Sequence, residues 1–237
     1  NLKISDKTSP SAFITIMQGC NNFCSYCIVP FVRGREKSRD IEDILKEAKF
    51  LVENGTREIT LLGQNVNSYG KENGIFFPEL LYKIAEIKNL KRIRFATSHP
   101  KDMSIKLIKT IAAEQKISRQ VHLPVQSGSK RILRLMNRRY TNTDYLRLIE
   151  RIKQVIPGLR LSTDIIVGFP TETRDDFKMT YNLIKEVGFN RAFIFKYSPR
   201  PPAVSARMKD DISLDEKKQR HQTLLKLQQE ISRRLKK

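Results

Sequence analysis

Six short apolar or β-branched runs alternate with amphipathic helical stretches along this chain, and that alternation limits the folds open to it. The strand-like runs are residues 13–17, 58–62, 92–97, 120–124, 159–167 and 192–197, each bounded by Gly, Pro or polar residues. The helical stretches have readable ends. Asp40 can cap a helix whose inner face is Ile41, Ile44, Leu45, Ala48, Leu51 and Val52, with Gly55 just beyond it. Thr141 with Asp144 opens another, carrying Tyr145, Leu148, Ile149, Ile152 and Val155 up to Pro157 and Gly158. Thr173 with Asp176 opens a third, with Phe177, Tyr181, Ile184 and Val187 inward and Gly188 closing it. Repeated βα units imply parallel strands joined by right-handed crossovers. The predicted fold class is therefore α/β. Six units fit an open or partial (β/α)6 TIM-like barrel better than a closed eight-stranded one, and a doubly wound open sheet shares the same periodicity.

A chain of 237 residues can bury one large core. No apolar stretch approaches the roughly 20 residues needed to span a membrane, and no signal peptide precedes the first strand-like run. Lys and Arg total 45 against 25 acids, a net charge of +20 that attracts a polyanion without regard to sequence. Nucleic acid is the natural partner and an acidic membrane surface the weaker one; a lysine-rich solvated surface gives the same balance. Residues 213–237 form a basic stretch with Leu224, Leu227, Ile231 and Leu235 on one helical stripe. They read as a terminal helix packed on the barrel with its basic face in solvent, the preceding residues 1–212 being the core domain.

Cys20, Cys24 and Cys27 are the chain's only cysteines, in the run Gly-Cys-Asn-Asn-Phe-Cys-Ser-Tyr-Cys. Three clustered thiols with no even-numbered framework argue against a secreted disulfide scaffold and for a reducing, cytoplasmic location. Thiolates are soft ligands that select iron–sulfur clusters, zinc or copper(I). A structural zinc site is closed by four protein ligands, and no His follows at finger spacing. A cubane cluster held by three cysteines would leave one iron open to a small molecule. A zinc site completed by a distant His and three reduced core thiols are the other readings.

In parallel βα folds the loops at the strand carboxyl ends build the site. Here those tips are informative together. The cysteines follow strand one, Gly63, Gln64 and Asn65 strand two, and Thr97 to Pro100 strand three. His122 to Ser129 run off strand four, Gly168 to Glu172 follow strand five, and Tyr197 to Arg200 follow strand six. A His beside Pro is often a satisfied polar group at a strand end. Neither His99 nor His122 is expected to bind metal, though both stand where they would border a substrate pocket; His221 is expected on the surface.

The segments 18–39, 61–69, 96–100, 122–133 and 164–173 resemble the methylthiotransferase family of radical S-adenosylmethionine (SAM) enzymes, over essentially the whole chain. The resemblance implies a partial barrel of the radical SAM type in which Cys20, Cys24 and Cys27 bind three irons of a [4Fe–4S] cluster. SAM's amino and carboxylate groups would chelate the fourth iron. An electron from a donor such as flavodoxin or ferredoxin would then cleave SAM to methionine and a 5′-deoxyadenosyl radical. Tyr26 would lie near the adenine, or pack as a loop aromatic. Gly63, Gln64 and Asn65 stand where the superfamily has a turn for SAM's amino group, here without its usual carboxylate. Gln126 and Ser127 become candidates for the ribose or carboxylate, and Gly168 with the backbone of Ile166 and Val167 for the adenine.

Family members also carry an amino-terminal domain holding an auxiliary cluster and a carboxyl-terminal RNA-binding barrel. Neither is found in this sequence, which reads as a catalytic core whose residues 213–237 lead toward the RNA-binding domain. The run Leu61 to Tyr69 resembles the branch that methylthiolates N6-isopentenyl (dimethylallyl) adenosine in the tRNA anticodon stem-loop. Two other branches modify threonylcarbamoyl-adenosine in tRNA or an aspartate of a ribosomal protein. A rival from another class is a basic RNA-binding module whose cysteines hold a structural metal. One departure stands out: after Pro201 the family continues with Gly-Thr, and this chain has Pro202 and Ala203.

Overall fold

The computed structural model describes residues 9–72 and 74–235. In chain order its first elements are β1 (Ser11–Thr15), β2 (Met17–Gln18), α1 (Val29–Val32), β3 (Lys37–Ser38), α2 (Ile41–Glu53) and β4 (Glu58–Leu62). There follow α3 (Phe77–Ala85), β5 (Arg92–Phe95), α4 (Ile105–Ala113), β6 (Gln120–His122), α5 (Lys130–Leu135) and α6 (Asn142–Val155). The chain closes with β7 (Arg160–Val167), α7 (Arg174–Val187), β8 (Arg191–Lys196) and α8 (Leu214–Arg234).

Two parallel three-stranded ladders, β1-β4-β5 and β6-β7-β8, form the wall. A single parallel bridge, Ile93 to Ile117, carries the wall from β5 toward β6. No ladder joins β8 back to β1 among the described residues. The six parallel strands thus make a partial barrel rather than a closed one.

Alternation along each strand separates its two faces. On β7, Leu161, Thr163, Ile165 and Val167 are buried under the helices, while Ser162, Asp164 and Ile166 turn the other way. The outer layer holds the core, with Ile14, Ile59, Leu61, Ile93 and Ile165 packed beneath Ile44, Leu80, Leu81, Ile108, Tyr145, Ile149 and Ile184. The inner face lines an open cavity of about 530 Å³, with Glu58, Arg94, His122, Ser162 and Asp164 beside Phe13 and Phe193.

The predicted caps form. Asp40 accepts from the N–H groups of Glu42 and Asp43, and Thr141–Asp144 and Thr173–Asp176 make reciprocal capping boxes. Two helix faces differ from the periodicity reading. Val155, expected inward, is exposed at the end of α6. On α7, Asp176 and Thr180 are buried, whereas Phe177 and Tyr181 are only half-buried, because the face toward α5 makes hydrogen bonds. Ser129 donates to Asp176, and Gly128 N–H donates to Thr180 Oγ1 at 2.9 Å.

Helix α8 lies against β8 and α7 through Leu224, Leu227 and Ile231, with Leu235 exposed. Arg220 reaches inward to Glu172 Oε2 (2.6 Å), and Lys217 pairs with Asp210 beneath Tyr197. His221 was expected on the surface; it is half-buried and donates from Nε2 to Ile194 O at 3.0 Å, because α8 lies along β8.

Candidate active site

The segment after β1 does not continue as strand. Met17 and Gln18 pair antiparallel with Ser38 and Lys37, so a two-rung ladder gathers the ends of the loop that holds all three cysteines. Gly19 begins that loop at φ +77°, where a Cβ would stand 2.0 Å from Arg35 O. Only glycine fits a left-handed backbone at such an approach. Its N–H donates to Gln64 Oε1 at 2.7 Å, tying the loop to the β4 tip, and Cys20 N–H donates to Gly34 O at 3.2 Å.

The far side is fixed by the end of α5. Asn137 Nδ2 donates to Phe23 O (2.8 Å), Ser25 Oγ to Leu135 O (2.8 Å) and Ser25 N–H to Met136 O (3.0 Å). The cysteine loop is therefore held from two strand ends and one helix end, while its sulfurs remain partly exposed and reduced.

Each sulfur faces one N–H donor. Asn22 Nδ2 lies 3.6 Å from Cys20 Sγ, Val29 N–H 3.5 Å from Cys27 Sγ, and Arg138 Nη1 3.5 Å from Cys24 Sγ. Burial pushes the Cys20 and Cys27 thiols up, and hydrogen bonds from Asn22 and Val29 respectively oppose that shift. Among the described residues no three His, Cys, Asp or Glu side chains gather as they must around a single ion. Zinc needs its ligands within about 2.3 Å of one centre, whereas a cubane spreads three thiolates over three irons. Three thiols on one pinned loop, each with a donor to its sulfur, suit a group that spreads its thiolates over three irons.

A second cavity, of about 340 Å³, is lined in part by Tyr26, Gln126, Asp164, Ile166, Lys196 and Arg200. Of the sequence candidates, Tyr26, Gln126 and Ile166 meet here. Gln126 sits at φ +72°, held by its N–H on Asp164 O (2.9 Å) and its carbonyl on Ile166 N–H (3.0 Å). Such strain in a non-glycine residue persists where the surroundings over-determine it. Burial raises the Tyr26 phenol well above its ordinary value.

The other candidates stand outside that lining. Ser127 is fully buried, its hydroxyl against Thr180 Oγ1 (3.3 Å) and accepting from Ser129 N–H (3.2 Å). Val167 is buried, and Gly168, at φ +67°, packs on Lys217 and donates to Glu172 Oε2 at 2.7 Å. Gly63 packs on Met17, where a Cβ would lie 2.5 Å from Cγ. Asn65 Nδ2 donates to Asp102 at 2.7 Å, and its Oδ1 is buried without a protein partner among the described residues.

Both histidines lie beside the site. Burial, then the positive charge of Arg138, holds His99 neutral, its pKa down to about 2; its Nδ1 accepts from Lys101 N–H. His122 lies in the barrel lumen between Ser162 (3.0 Å) and Asp164 (3.3 Å).

Sequence reasoning missed Asp164 and Arg138. Strand alternation places Asp164 on the inner face beside Ser162 and Ile166. Arg138 carries no such signal, since it sits in the basic run Asn137 to Arg139.

The Radical SAM superfamily model matches residues 14–184. The chain is 50% identical over 237 residues to the tRNA-2-methylthio-N(6)-dimethylallyladenosine synthase of Acetivibrio thermocellus, covering 99% of this chain and 49% of that protein. It is 52% identical over 234 residues to the synthase of the same name from Clostridium botulinum, covering 98% and 52%. The chain thus spans about half the length of the curated relatives it matches. Among solved structures, coproporphyrinogen III oxidase from Escherichia coli superposes with a TM-score of 0.70 at 17% identity, over 95% of this chain and 54% of that one. Methylornithine synthase does so with a TM-score of 0.62 at 17% identity, over 92% and 61%. With a partial parallel barrel, a three-cysteine loop at its carboxyl-terminal rim and a family match over most of its length, the chain belongs to the radical SAM superfamily.

Proposed function

We propose that Cys20, Cys24 and Cys27 hold the cluster and that this chain is the catalytic part of a tRNA methylthiotransferase acting on N6-isopentenyl (dimethylallyl) adenosine beside the anticodon. The observation that carries the reading is the identity of about half the residues, over nearly the whole chain, to synthases named for that product. The superfamily's [4Fe–4S] cluster and SAM supply radical chemistry when bound. The chain's own residues position and enclose. Gly19, Gln64 and Asn137 pin the cysteine loop. Tyr26, Gln126 and Ile166 receive the nucleoside part of SAM, with the backbone of Val167 and Gly168 behind them. Gly63, Gln64 and Asn65 form the β4 tip assigned to its amino group, where Asn65 Oδ1 is buried without a protein partner among the described residues. Ser127 supports this wall from its buried side.

A net charge of +20 suits the phosphates of a tRNA anticodon stem-loop. The flanking regions of the longer relatives supply the auxiliary-cluster and RNA-binding domains, and flavodoxin or ferredoxin supplies the electron. The protein works in the cytoplasm; no helix among the described residues is long and apolar enough to cross a membrane. The test uses a protein carrying this chain with the flanking regions its relatives have. It is offered isopentenylated tRNA, threonylcarbamoylated tRNA and the ribosomal protein. Methylthio product on the first supports the assignment, and product only on either of the others overturns it.

A further inference from the structure

Arg138 is 7% exposed, yet none of the ion pairs among the described residues includes it. Each of its three nitrogens has another partner. Nη2 donates to Pro124 O (2.7 Å) and Nε to Tyr140 Oη (2.7 Å), with the Tyr140 ring 5.0 Å away. Nη1 is directed at Tyr26 Oη (3.4 Å) and Cys24 Sγ (3.5 Å). A buried charge without a counter-charge is strongly unfavourable. Beside it stands Cys24 Sγ, which would carry negative charge as one ligand of an anionic cluster.

We propose that Arg138 is a positioning residue whose buried guanidinium is the counter-charge of the iron–sulfur cluster, hydrogen-bonded to Cys24 Sγ and raising the cluster's reduction potential. The inference rests on the reading that the three cysteines hold that cluster. Hydrogen bonds to cluster sulfurs and nearby charge set the potential. A cation in a low-dielectric site stabilises the form with one more electron, and the charge-assisted N–H···S bond strengthens as the sulfur gains charge. Asn22 and Val29 give the other two sulfurs neutral donors, so Arg138 is the charged member of the set. A merely structural role, bracing Pro124 O and Tyr140, predicts no change in potential.

The experiment uses the 237-residue chain, anaerobically reconstituted with iron and sulfide, and its variants Arg138→Gln, Arg138→Lys and Asn22→Ala. Iron and sulfide are counted first. An unsubstituted chain without a cluster overturns the cysteine reading and this inference with it. Midpoint potentials are then read by EPR-monitored titration with a low-potential one-electron reductant. Arg138→Gln is expected to make reduction at least tenfold less favourable, about 59 mV for a one-electron couple. Arg138→Lys is expected to recover more than half of that shift, and Asn22→Ala to move the potential less than Arg138→Gln. Pulsed EPR on unsubstituted protein labelled with ¹⁵N-arginine is expected to show nitrogen coupling to the reduced cluster. An unchanged potential in loaded Arg138→Gln overturns the proposal. Absence of the ¹⁵N coupling does so too, and that readout does not depend on any variant folding.

Discussion

Replacing Gly19 with Ala strikes the point where the cysteine loop turns. The residue sits at φ +77°, and left-handed backbone costs an L-residue about 1–2 kcal/mol. The added Cβ meets Arg35 O at 2.0 Å and Gly34 O at 2.7 Å, both backbone atoms, so the loop must open rather than a side chain swing away. Opening gives up the Gly19 N–H bond to Gln64 and the Cys20 N–H bond to Gly34 O, each worth about 1 kcal/mol net. Strain alone shifts the equilibrium against the closed loop by about 1–2 kcal/mol, about 5- to 30-fold in its population. The backbone clash adds to it, and the opened loop forgoes about 2 kcal/mol of hydrogen bonding. The loop contributes none of the central buried cluster beyond Met17, so thermal unfolding of the metal-free variant should change little. Anaerobic reconstitution followed by iron and sulfide analysis should show severely reduced loading. Normal loading in a folded Gly19→Ala chain would refute the claim that this ladder-closed loop geometry creates the site.

Three further outcomes follow from the geometry. Arg220→Met leaves Glu172 buried without its guanidinium partner and should cost about 3–5 kcal/mol in denaturant unfolding. Burial already raises the Glu172 carboxyl, so the folded state binds its proton more readily and stability falls as pH rises above the unfolded value; Arg220→Met should widen that window, with a larger loss at pH 8 than at pH 5, and an equal loss at both would contradict it. His99 is neutral in the fold, with its pKa down to about 2, so the unfolded chain binds its proton below about pH 6.5 and wild type should lose about 1.4 kcal/mol per pH unit relative to His99→Gln as the medium is acidified; parallel pH profiles would contradict this. Ser127→Ala removes buried hydrogen bonds to Thr180 and Ser129 and should cost about 1 kcal/mol while leaving SAM affinity in equilibrium dialysis unchanged; a tenfold loss of affinity would put this hydroxyl on the ligand.

The architecture was legible where local chemistry is unambiguous. Capping boxes at Thr141 and Thr173, the Asp40 cap and the six apolar runs give the parallel partial barrel, because each signal concerns groups a few residues apart. Helix α3 gave a weaker start signal, Phe76 making no side-chain cap there. The two-residue ladder between β2 and β3 was not legible, since it closes a loop through tertiary contacts with Gln64 and α5 rather than through strand periodicity. Three cysteines at one spacing offered a candidate ligand set, and two of the donors to their sulfurs, Asn22 and Val29, lie within two residues of them; the third does not. Arg138 lies 114 residues from Cys24 and meets it only because α5 ends beneath the loop. Ser127 shows the converse, a polar residue at a strand tip whose hydroxyl is used by α7.

The central claim, that this loop holds one [4Fe–4S] cluster, is tested most directly by counting iron and acid-labile sulfide per chain after anaerobic reconstitution, in wild type and in Cys24→Ala. The expected result is about four irons and about four sulfides in wild type, with the cluster lost when one of its three cysteine anchors is removed. Stoichiometric zinc without sulfide, or full iron retention in Cys24→Ala, would contradict the account.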